Sequence, residues 1–195
     1  MPGHFLGEKM LNLYHASYVE IKEPDIYHGR KNADFGQGFY LSPDLDFTRR
    51  WSRIRNDRNT YINTYELDTT DLNVLKLDRD SKWYEYINAN RNHKSDIYLE
   101  YDVIQGPIAI DTIYDMFGIT TSGYVDSDAA LKLLSIGPVY TQVTIKTEKG
   151  ATALKFLSSE IIDAALVESY RDVVKKEETA FQTEFAKVMN EVLPS

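Results

Sequence analysis

The sequence predicts an α+β fold, because strand-like and helix-like segments follow one another without regular alternation. Residues 11–19 and 139–146 alternate between two faces, as strands in sheets do. Near the end of the chain, apolar residues recur at helical spacing, which predicts an amphipathic helix over residues 173–195. We expect residues 10–195 to form a single domain, since a chain of 195 residues can bury one sizeable core.

Composition and charge exclude several classes of protein. The chain has 22 Lys and Arg against 30 Asp and Glu, a net charge of −8, and lacks the basic field that coating duplex nucleic acid requires. It has no cysteine, which excludes disulfides, thiolate metal sites and a cysteine nucleophile. Because no segment reads as a membrane span or a signal peptide, we expect a cytoplasmic protein. Residues 1–9 differ in character from the rest, and we expect them to be a vector-derived remnant.

The first half of the chain predicts a strand, a polar glycine-bearing loop and a second strand before the first helix. Glu23-Pro24-Asp25 ends the first strand, and the loop covers residues 28–38. Ser42 is expected to cap the helix, with Pro43 in its first turn and its end near Asn56. The other predicted strands are 39–42, 61–67, 72–77, 101–104 and 161–167, and the other helices are 82–92, 108–117, 127–134 and 147–157.

Two polar rings lie on the strands that flank the loop. His15 shares its strand face with apolar residues, and Tyr40 points away from the apolar residues on either side of it. Gly36 and Gly38 leave the loop without side chains, which lets a ligand approach its backbone. The alternative interpretation is a packed core histidine and a turn followed by an ordinary strand tyrosine.

The segments His15-Ala16-Ser17 and Asp34–Tyr40, followed in order by Gly106-Pro107 and Gln142, resemble the ADP-ribosyltransferase superfamily. The resemblance is to its histidine–tyrosine–glutamate branch, which includes poly(ADP-ribose) polymerases and diphtheria-type toxins. Within that branch the chain is most similar to largely uncharacterised bacterial domains with a DFGxGFY segment. The resemblance covers residues 11–160 and implies a split, twisted β-sheet core with peripheral helices around a cleft for NAD.

The resemblance also implies roles for individual residues. His15 would hydrogen-bond the adenosine ribose of NAD, and the backbone of Ala16 would hold the carboxamide. The family's usual residue at that second position is glycine. Ser17 occupies the position of a small hydroxyl residue, and Tyr40 would stack on nicotinamide.

Three further residues are candidates for binding NAD. Thr48 lies where the family has a hydroxyl that contacts the carboxamide, and Trp51 lies where the polymerases have a second aromatic residue. Nicotinamide in NAD is a flat cation, which aromatic faces attract. Trp51 fits equally well as a core residue of an apolar helix stripe. Arg30 precedes the second motif and is a candidate for holding the pyrophosphate, the alternative being a solvated loop.

Gln142 departs from the family's pattern. The resembled branch has a glutamate here, which binds the nicotinamide ribose and stabilises the cationic sugar. Glutamine still hydrogen-bonds the ribose, but it cannot supply a negative charge or act as a base. This favours transfer of one ADP-ribose or a catalytically inactive protein. Glu148 shares the strand parity of Gln142 and is an alternative carboxylate, although a helix is expected to begin at Thr147.

The resemblance therefore implies a bacterial, toxin- or effector-like mono-ADP-ribosyltransferase with His15, Tyr40 and Gln142 as its catalytic residues. It would transfer ADP-ribose from NAD to a macromolecular acceptor, protein or nucleic acid, and release nicotinamide. The resemblance also leaves room for an inhibitory partner protein. No metal is expected, because the leaving nicotinamide is neutral and the four histidines lack metal-ligand spacing. The alternative is a catalytically inactive NAD-binding module of the same fold.

Two further features of the sequence have two interpretations each. Five arginines fall within ten residues and form either a solvated helix face or an anion site; they are Arg49, Arg50, Arg53, Arg55 and Arg58. The apolar stripe of the C-terminal helix either packs on its own domain or docks a partner.

Overall fold

The computed structural model describes residues 9–52, 58–109 and 125–192, and within these ranges it contains seven strands and five helices. The strands are β1 (Met10–Ser17), β2 (Phe39–Leu41), β3 (Tyr61–Asp68), β4 (Val74–Lys76), β5 (Val103–Pro107), β6 (Thr141–Ile145) and β7 (Leu154–Ile161). The helices are α1 (Leu45–Arg50), α2 (Ser81–Arg91), α3 (Ser127–Leu134), α4 (Glu148–Ala153) and α5 (Ala164–Val192). The predicted α+β fold is confirmed.

The strands form two sheets that an isolated backbone bridge joins. The first sheet has the order β1-β3-β7 and is antiparallel throughout, and the second has the order β2-β6-β5-β4, with only the β4–β5 pair parallel. An isolated bridge joins the sheets: the Tyr14 N–H donates to the Ser42 carbonyl at 2.8 Å and the Ser42 N–H donates to the Tyr14 carbonyl at 2.9 Å. The sheet is therefore split, with the split beginning beside β1 and β2.

Each face of the second sheet is covered by its own apolar cluster. Leu13, Tyr65 and Leu67 of the first sheet pack against Phe39 and Val143 of the second. The other cluster packs the remaining face against α2, α3 and α5, and its members include Ile104, Trp83, Tyr86, Leu133 and Phe181. The second sheet is thus the middle layer, because successive side chains of each strand point to opposite faces.

The first helix is shorter than predicted and is capped by a different residue. Asp44, not Ser42, is the N-cap, and its carboxylate accepts the Phe47 N–H at 2.9 Å. Ser42 instead donates its hydroxyl to the Thr141 carbonyl at 3.1 Å, which holds the end of β2 against β6. The helix ends at Arg50, and the rest of the predicted segment, from residue 53, lies outside the described residues.

The predicted helix 147–157 and strand 161–167 are both wrong in part. Thr147 does begin a helix, but α4 ends at Ala153 and the chain continues as β7. β7 pairs with β3, whose outer N–H and C=O groups would otherwise lack partners. The apolar run at 161–167, predicted as a strand, instead leads into α5, which begins at residue 164. The Asp163 carboxylate accepts the Ala165 N–H at 2.9 Å at this helix start.

The C-terminal helix packs on its own chain. Phe181 is buried in the cluster that covers the second sheet, and Phe185, Val188 and Met189 pack against the same cluster. This matches the interpretation in which the apolar stripe contributes to the core. Within the described ranges, no helix combines the length and apolarity that crossing a membrane requires. The predicted helix 108–117 is not helical at 108–109, and its remaining residues lie outside the described ones. Residues 1–8 of the predicted vector-derived remnant at 1–9 also lie outside the described residues.

Candidate functional site

A cleft of about 200 Å³ opens where the two sheets separate, and we call it the inner cleft. Its walls are Tyr14, His15, Ala16, Tyr40, Leu41, Ser42, Phe47, Thr48, Trp51, Ile108 and Gln142. A second hollow of about 390 Å³, the outer cleft, is lined by Ala16, Ser17, Tyr18, Trp51, Ser52 and Thr60. Ala16 and Trp51 line both hollows, so the two adjoin.

The His15 imidazole has a defined proton position. Its Nδ1 lies 2.6 Å from the backbone carbonyl of Tyr40, which can only accept a hydrogen bond. Nδ1 therefore carries the proton, and in the neutral ring Nε2 is an acceptor. Burial lowers the pKa of His15, and the hydrogen bond to Tyr40 opposes that shift only in part. The ring also lies against Phe39, with centroids 4.6 Å apart.

The burial of neutral His15 should make the stability of the protein depend on pH. The folded-state pKa of His15 lies below its ordinary value of 6.5, so folding favours the neutral ring. The resulting stability is present above 6.5 and is lost as the pH falls through the folded-state pKa. We expect urea unfolding between about pH 7.5 and about pH 5 to show a steeper loss for wild type than for His15→Gln. If the free energy of unfolding falls equally with pH in the two proteins, the lowered pKa of His15 is contradicted.

The Tyr40 ring is held at both ends. Its phenolic oxygen accepts the Phe35 N–H at 2.9 Å and donates to the Gly36 carbonyl at 2.7 Å. Burial, reinforced by the nearby charge of Asp34, raises the pKa of Tyr40, so the hydroxyl keeps the proton that it donates. Its backbone carbonyl meanwhile holds His15, so one residue positions both rings of the cleft.

A buried ion pair anchors the loop that holds Tyr40. Arg91 of α2 lies 2.8 Å from the Asp34 carboxylate, and these side chains are only 2% and 10% exposed. The Asn90 side chain donates to the Asp34 carbonyl at 3.0 Å. Phe35, the next residue, is fully buried in the core cluster beneath α2. The Asp-Phe part of the motif is thus a structural anchor that lies behind the cleft.

A second buried ion pair supports the same loop, and its cation is Lys146, the residue after β6. The Lys146 ammonium donates to the Phe35 carbonyl and lies 2.8 Å from the Asp96 carboxylate. The Tyr86 hydroxyl donates to the other Asp96 oxygen at 2.9 Å. Burial lowers the pKa of Lys146, and Asp96 opposes that shift. Gly36 has φ +73°, and a Cβ there would lie 2.7 Å from the Asp96 carboxylate, which explains the glycine.

The backbone of Ala16 forms an open strand edge in the cleft. Both backbone groups of Tyr14 bond to Ser42, the residue after β2, in an isolated bridge. Backbone groups alternate between the two edges of a strand, so the N–H and C=O of Ala16 point to the same edge as those of Tyr14. The bridge ends before Ala16, and no other described residue pairs with this edge there, so one donor and one acceptor lie side by side in the cleft.

Helix α1 forms the opposite wall. Thr48 is buried and lines the cleft, and its hydroxyl donates to the Asp44 carbonyl at 2.7 Å, so the hydroxyl oxygen is left with acceptor capacity only. Trp51 is half-buried and lines both hollows. Phe47 packs near it, with ring centroids 6.4 Å apart.

The Gln142 amide has one defined orientation. Its Nε2 donates to the Pro107 carbonyl at 3.2 Å, and the Trp83 indole N–H donates to the same carbonyl at 2.9 Å. Since a carbonyl cannot donate, the amide must turn its nitrogen to Pro107. Oε1 has no hydrogen-bond partner in the described part of the chain, and the residue lines the inner cleft. Gln142 therefore offers the cleft an acceptor.

The structure does not bring every predicted residue to the inner cleft. Ser17 lines the outer cleft. Arg30 is exposed and lines neither hollow. Gly38 is buried against β6, and a Cβ there would lie 2.5 Å from the Ile145 carbonyl, so strand packing explains this glycine. Glu148 is exposed in the first turn of α4 and does not line the cleft.

The arginine run is explained by partners for the residues that the structure describes. Arg49 lies 2.5 Å from Glu160, and Arg50 lies 3.2 Å from Glu177. The guanidinium of Arg58 lies over the Tyr18 ring, 5.3 Å from its centroid. Arg53 and Arg55 lie outside the described residues.

Sequence reasoning missed several groups in the site. Ser42 makes the bridge between the sheets, and Phe47 and Ile108 line the cleft. The Pro107 carbonyl orients Gln142, although the sequence identified Gly106-Pro107 only as a motif without a role. The structure pairs Gly106 of β5 with Gln142 of β6, which brings the Pro107 carbonyl beside the Gln142 side chain. The order of the two motifs along the chain was the signal in the sequence that pointed to this contact.

Comparisons with known proteins give one family match. The family described as "Protein of unknown function (DUF3990)" matches residues 11–156. No curated protein matches the chain. Among solved structures, the crystal structure of the M. tuberculosis MbcT–MbcA toxin–antitoxin complex is similar at 12% identity and a TM-score of 0.47, over 84% of this chain and 90% of that chain.

Proposed function

The chain belongs to the DUF3990 family, and we propose that it is a mono-ADP-ribosyltransferase that uses NAD as its substrate. One observation carries the proposal. His15, the Ala16 strand edge, Tyr40, Thr48, Trp51 and Gln142 are far apart in the sequence but line a single cleft. Each of these groups complements a group of nicotinamide or of one of the two riboses of NAD.

The inner cleft suits the nicotinamide end of NAD. Its volume of about 200 Å³ exceeds the roughly 150 Å³ in which a protein cavity binds benzene, so it holds one aromatic ring with a small substituent. Tyr40 and Trp51 supply aromatic surface for the cationic ring. A carboxamide has one acceptor and one donor group, which the N–H and C=O of Ala16 complement, and Thr48 supplies a further acceptor. The outer cleft leaves space for the remainder of the dinucleotide.

Two acceptors in the cleft suit ribose hydroxyls. Nε2 of neutral His15 and Oε1 of Gln142 each have a lone pair and no proton to donate. Hydroxyls donate to both, so these groups would fix the orientation of the sugars. Gln142 would act through its oxygen dipole, since it carries no charge.

The proposed reaction is a displacement at the sugar carbon that bears nicotinamide. The bond from that carbon to the nicotinamide nitrogen breaks, and its electron pair leaves with nicotinamide, which becomes neutral. A nucleophilic oxygen or nitrogen of the acceptor forms the new bond and loses its proton to solvent. The transition state has oxocarbenium character, which acceptor groups around the sugar stabilise.

The test is nicotinamide release from NAD by the full chain, with and without cell extract. We expect wild type to release nicotinamide and His15→Ala to lose at least about tenfold in kcat/KM, because the ribose loses an acceptor. His28→Ala is the matched control, since that histidine is exposed and lines neither cleft. Protease or nuclease digestion of the labelled product then identifies the acceptor class. No release under any acceptor condition would count against the transferase.

The absence of a carboxylate at Gln142 favours a second candidate, a module that binds NAD without turnover. Thermal shift with NAD combined with the release assay separates the two functions. Binding without release in wild type, with release gained by Gln142→Glu, would favour the module. The variant has a cost, because an ionised glutamate would face the Pro107 carbonyl, and we expect about 1–3 kcal/mol lower stability at neutral pH. Burial raises the pKa of such a glutamate, so the loss should shrink as the pH falls.

A further inference from the structure

The C-terminal helix reaches the wall of the inner cleft. The family match ends at residue 156, and α5 begins at residue 164, so the helix lies outside the matched region. Its Glu177 nevertheless contacts α1 and the residue before β6, which are the elements that bring Thr48, Trp51 and Gln142 to the cleft.

Glu177 divides its two oxygens between two partners. Oε1 lies 3.2 Å from the Arg50 guanidinium, and Oε2 accepts the Tyr140 hydroxyl at 3.1 Å. Arg50 also lies over the Tyr140 ring, 5.9 Å from its centroid. All three side chains are at least partly buried, so the ion pair is screened less than an exposed one. Glu177 raises the pKa of Tyr140, in addition to the larger effect of burial, which keeps the phenol protonated as a donor.

Tyr140 connects Glu177 to two residues that line the inner cleft. Its ring stacks on Phe47, with centroids 4.4 Å apart, and its carbonyl accepts the Ile108 N–H at 2.7 Å. Phe47 and Ile108 both line the inner cleft. A shift of Tyr140 would therefore move two walls of the cleft at once.

The helix does not need Glu177 to stay in place. Phe181 is buried in the core cluster, and Phe185, Val188 and Met189 pack on it. These apolar contacts anchor the second half of α5, whereas Glu177 lies one turn before Phe181 and contacts Arg50 and Tyr140. Loss of the charge should therefore change the cleft more than the fold.

We propose that Glu177 is a positioning residue, which holds α1 and Tyr140 so that the inner cleft keeps its shape. The C-terminal helix is then part of the site and not only part of the core. The kinetic consequence rests on the proposed function, whereas the consequence for the shape of the cleft does not.

The experiment compares Glu177→Gln with Glu178→Gln in the full chain. The two changes remove the same charge from neighbouring residues, and Glu178 is exposed. We expect Glu177→Gln to raise KM for NAD about three- to tenfold with a smaller change in kcat, because the cleft is misshapen before the chemistry begins. The Trp51 indole N–H resonance should shift while that of Trp83, which bonds to Pro107, stays in place. Glu178→Gln should change neither.

Tyr140→Phe keeps the ion pair and the ring stack but removes the hydroxyl bond to Glu177. It should shift the same Trp51 resonance, and it provides the test if Glu177→Gln fails to fold. A Trp51 resonance that stays unchanged in the folded Glu177 and Tyr140 variants would overturn the proposal. If wild type has no activity on NAD, the proposed function fails, and the indole resonances still decide whether Glu177 shapes the cleft.

Discussion

Arg91→Met is expected to lower the free energy of unfolding by about 3–5 kcal/mol, the largest effect on stability among our predictions. The change leaves the Asp34 carboxylate buried without its cation, and that side chain is only 10% exposed. Unfolding in urea, followed by circular dichroism, measures the loss. Because the same pair anchors the loop that holds Tyr40, the variant should also lose the shape of the inner cleft.

The double variant Asp34→Asn/Arg91→Met separates the buried charge from the lost contact. Removing both charges should cost less than the sum of the single changes, since no unpaired ion remains. Arg171→Met is the control, because its ion pair with Glu168 is 73% and 59% exposed and should contribute less than about 1 kcal/mol. Equal losses for Arg91→Met and Arg171→Met would contradict the role given to the buried pair.

Tyr40→Ala is expected to reduce kcat/KM for nicotinamide release roughly 10- to 100-fold, the largest effect on the proposed activity. The variant removes the aromatic surface proposed to stack on nicotinamide and the hydroxyl that ties the ring to Phe35 and Gly36. Tyr40→Phe keeps the ring and should retain most activity, while losing about 1–3 kcal/mol of stability because buried backbone groups lose a partner. Steady-state release of nicotinamide and urea unfolding measure the two effects.

Tyr65→Phe provides the matched control for a buried tyrosine. Its hydroxyl donates to the Ile21 carbonyl at 2.7 Å, and the residue lies in the core between the sheets, away from the inner cleft. It should lose stability without losing activity. Full activity in a folded Tyr40→Ala variant would contradict the stacking role of Tyr40.

Most secondary-structure elements were predictable because their signals are local. The alternation around His15 and the helical spacing of Phe181 and Phe185 appear within one element, and the structure has a strand and a helix there. The wrong secondary-structure predictions are in segments whose conformation depends on a residue far away in the sequence. Leu154–Ile161 became a strand because the edge of β3 required a partner, and no local pattern contains that requirement.

The candidate site divides in the same way. The sequence identified His15, Tyr40 and Gln142 from motifs, and the structure brings them to one cleft. It assigned the Asp-Phe-Gly segment no structural role, whereas the structure ties that segment to Arg91, Lys146 and Asp96. Those partners are 50 or more residues away from the segment along the chain, so nothing near the motif indicates them.

By itself, the sequence determined the α+β class and the residue types available for chemistry, because polarity patterns and side-chain chemistry are properties of the chain. Only the tertiary structure decided the proton position on His15, the amide orientation of Gln142 and the open edge at Ala16. Each of these depends on a backbone group contributed by another part of the chain, namely Tyr40, Pro107 and Ser42. Hydrogen bonds are directional, so such groups acquire a defined role only when the fold sets their distance and angle.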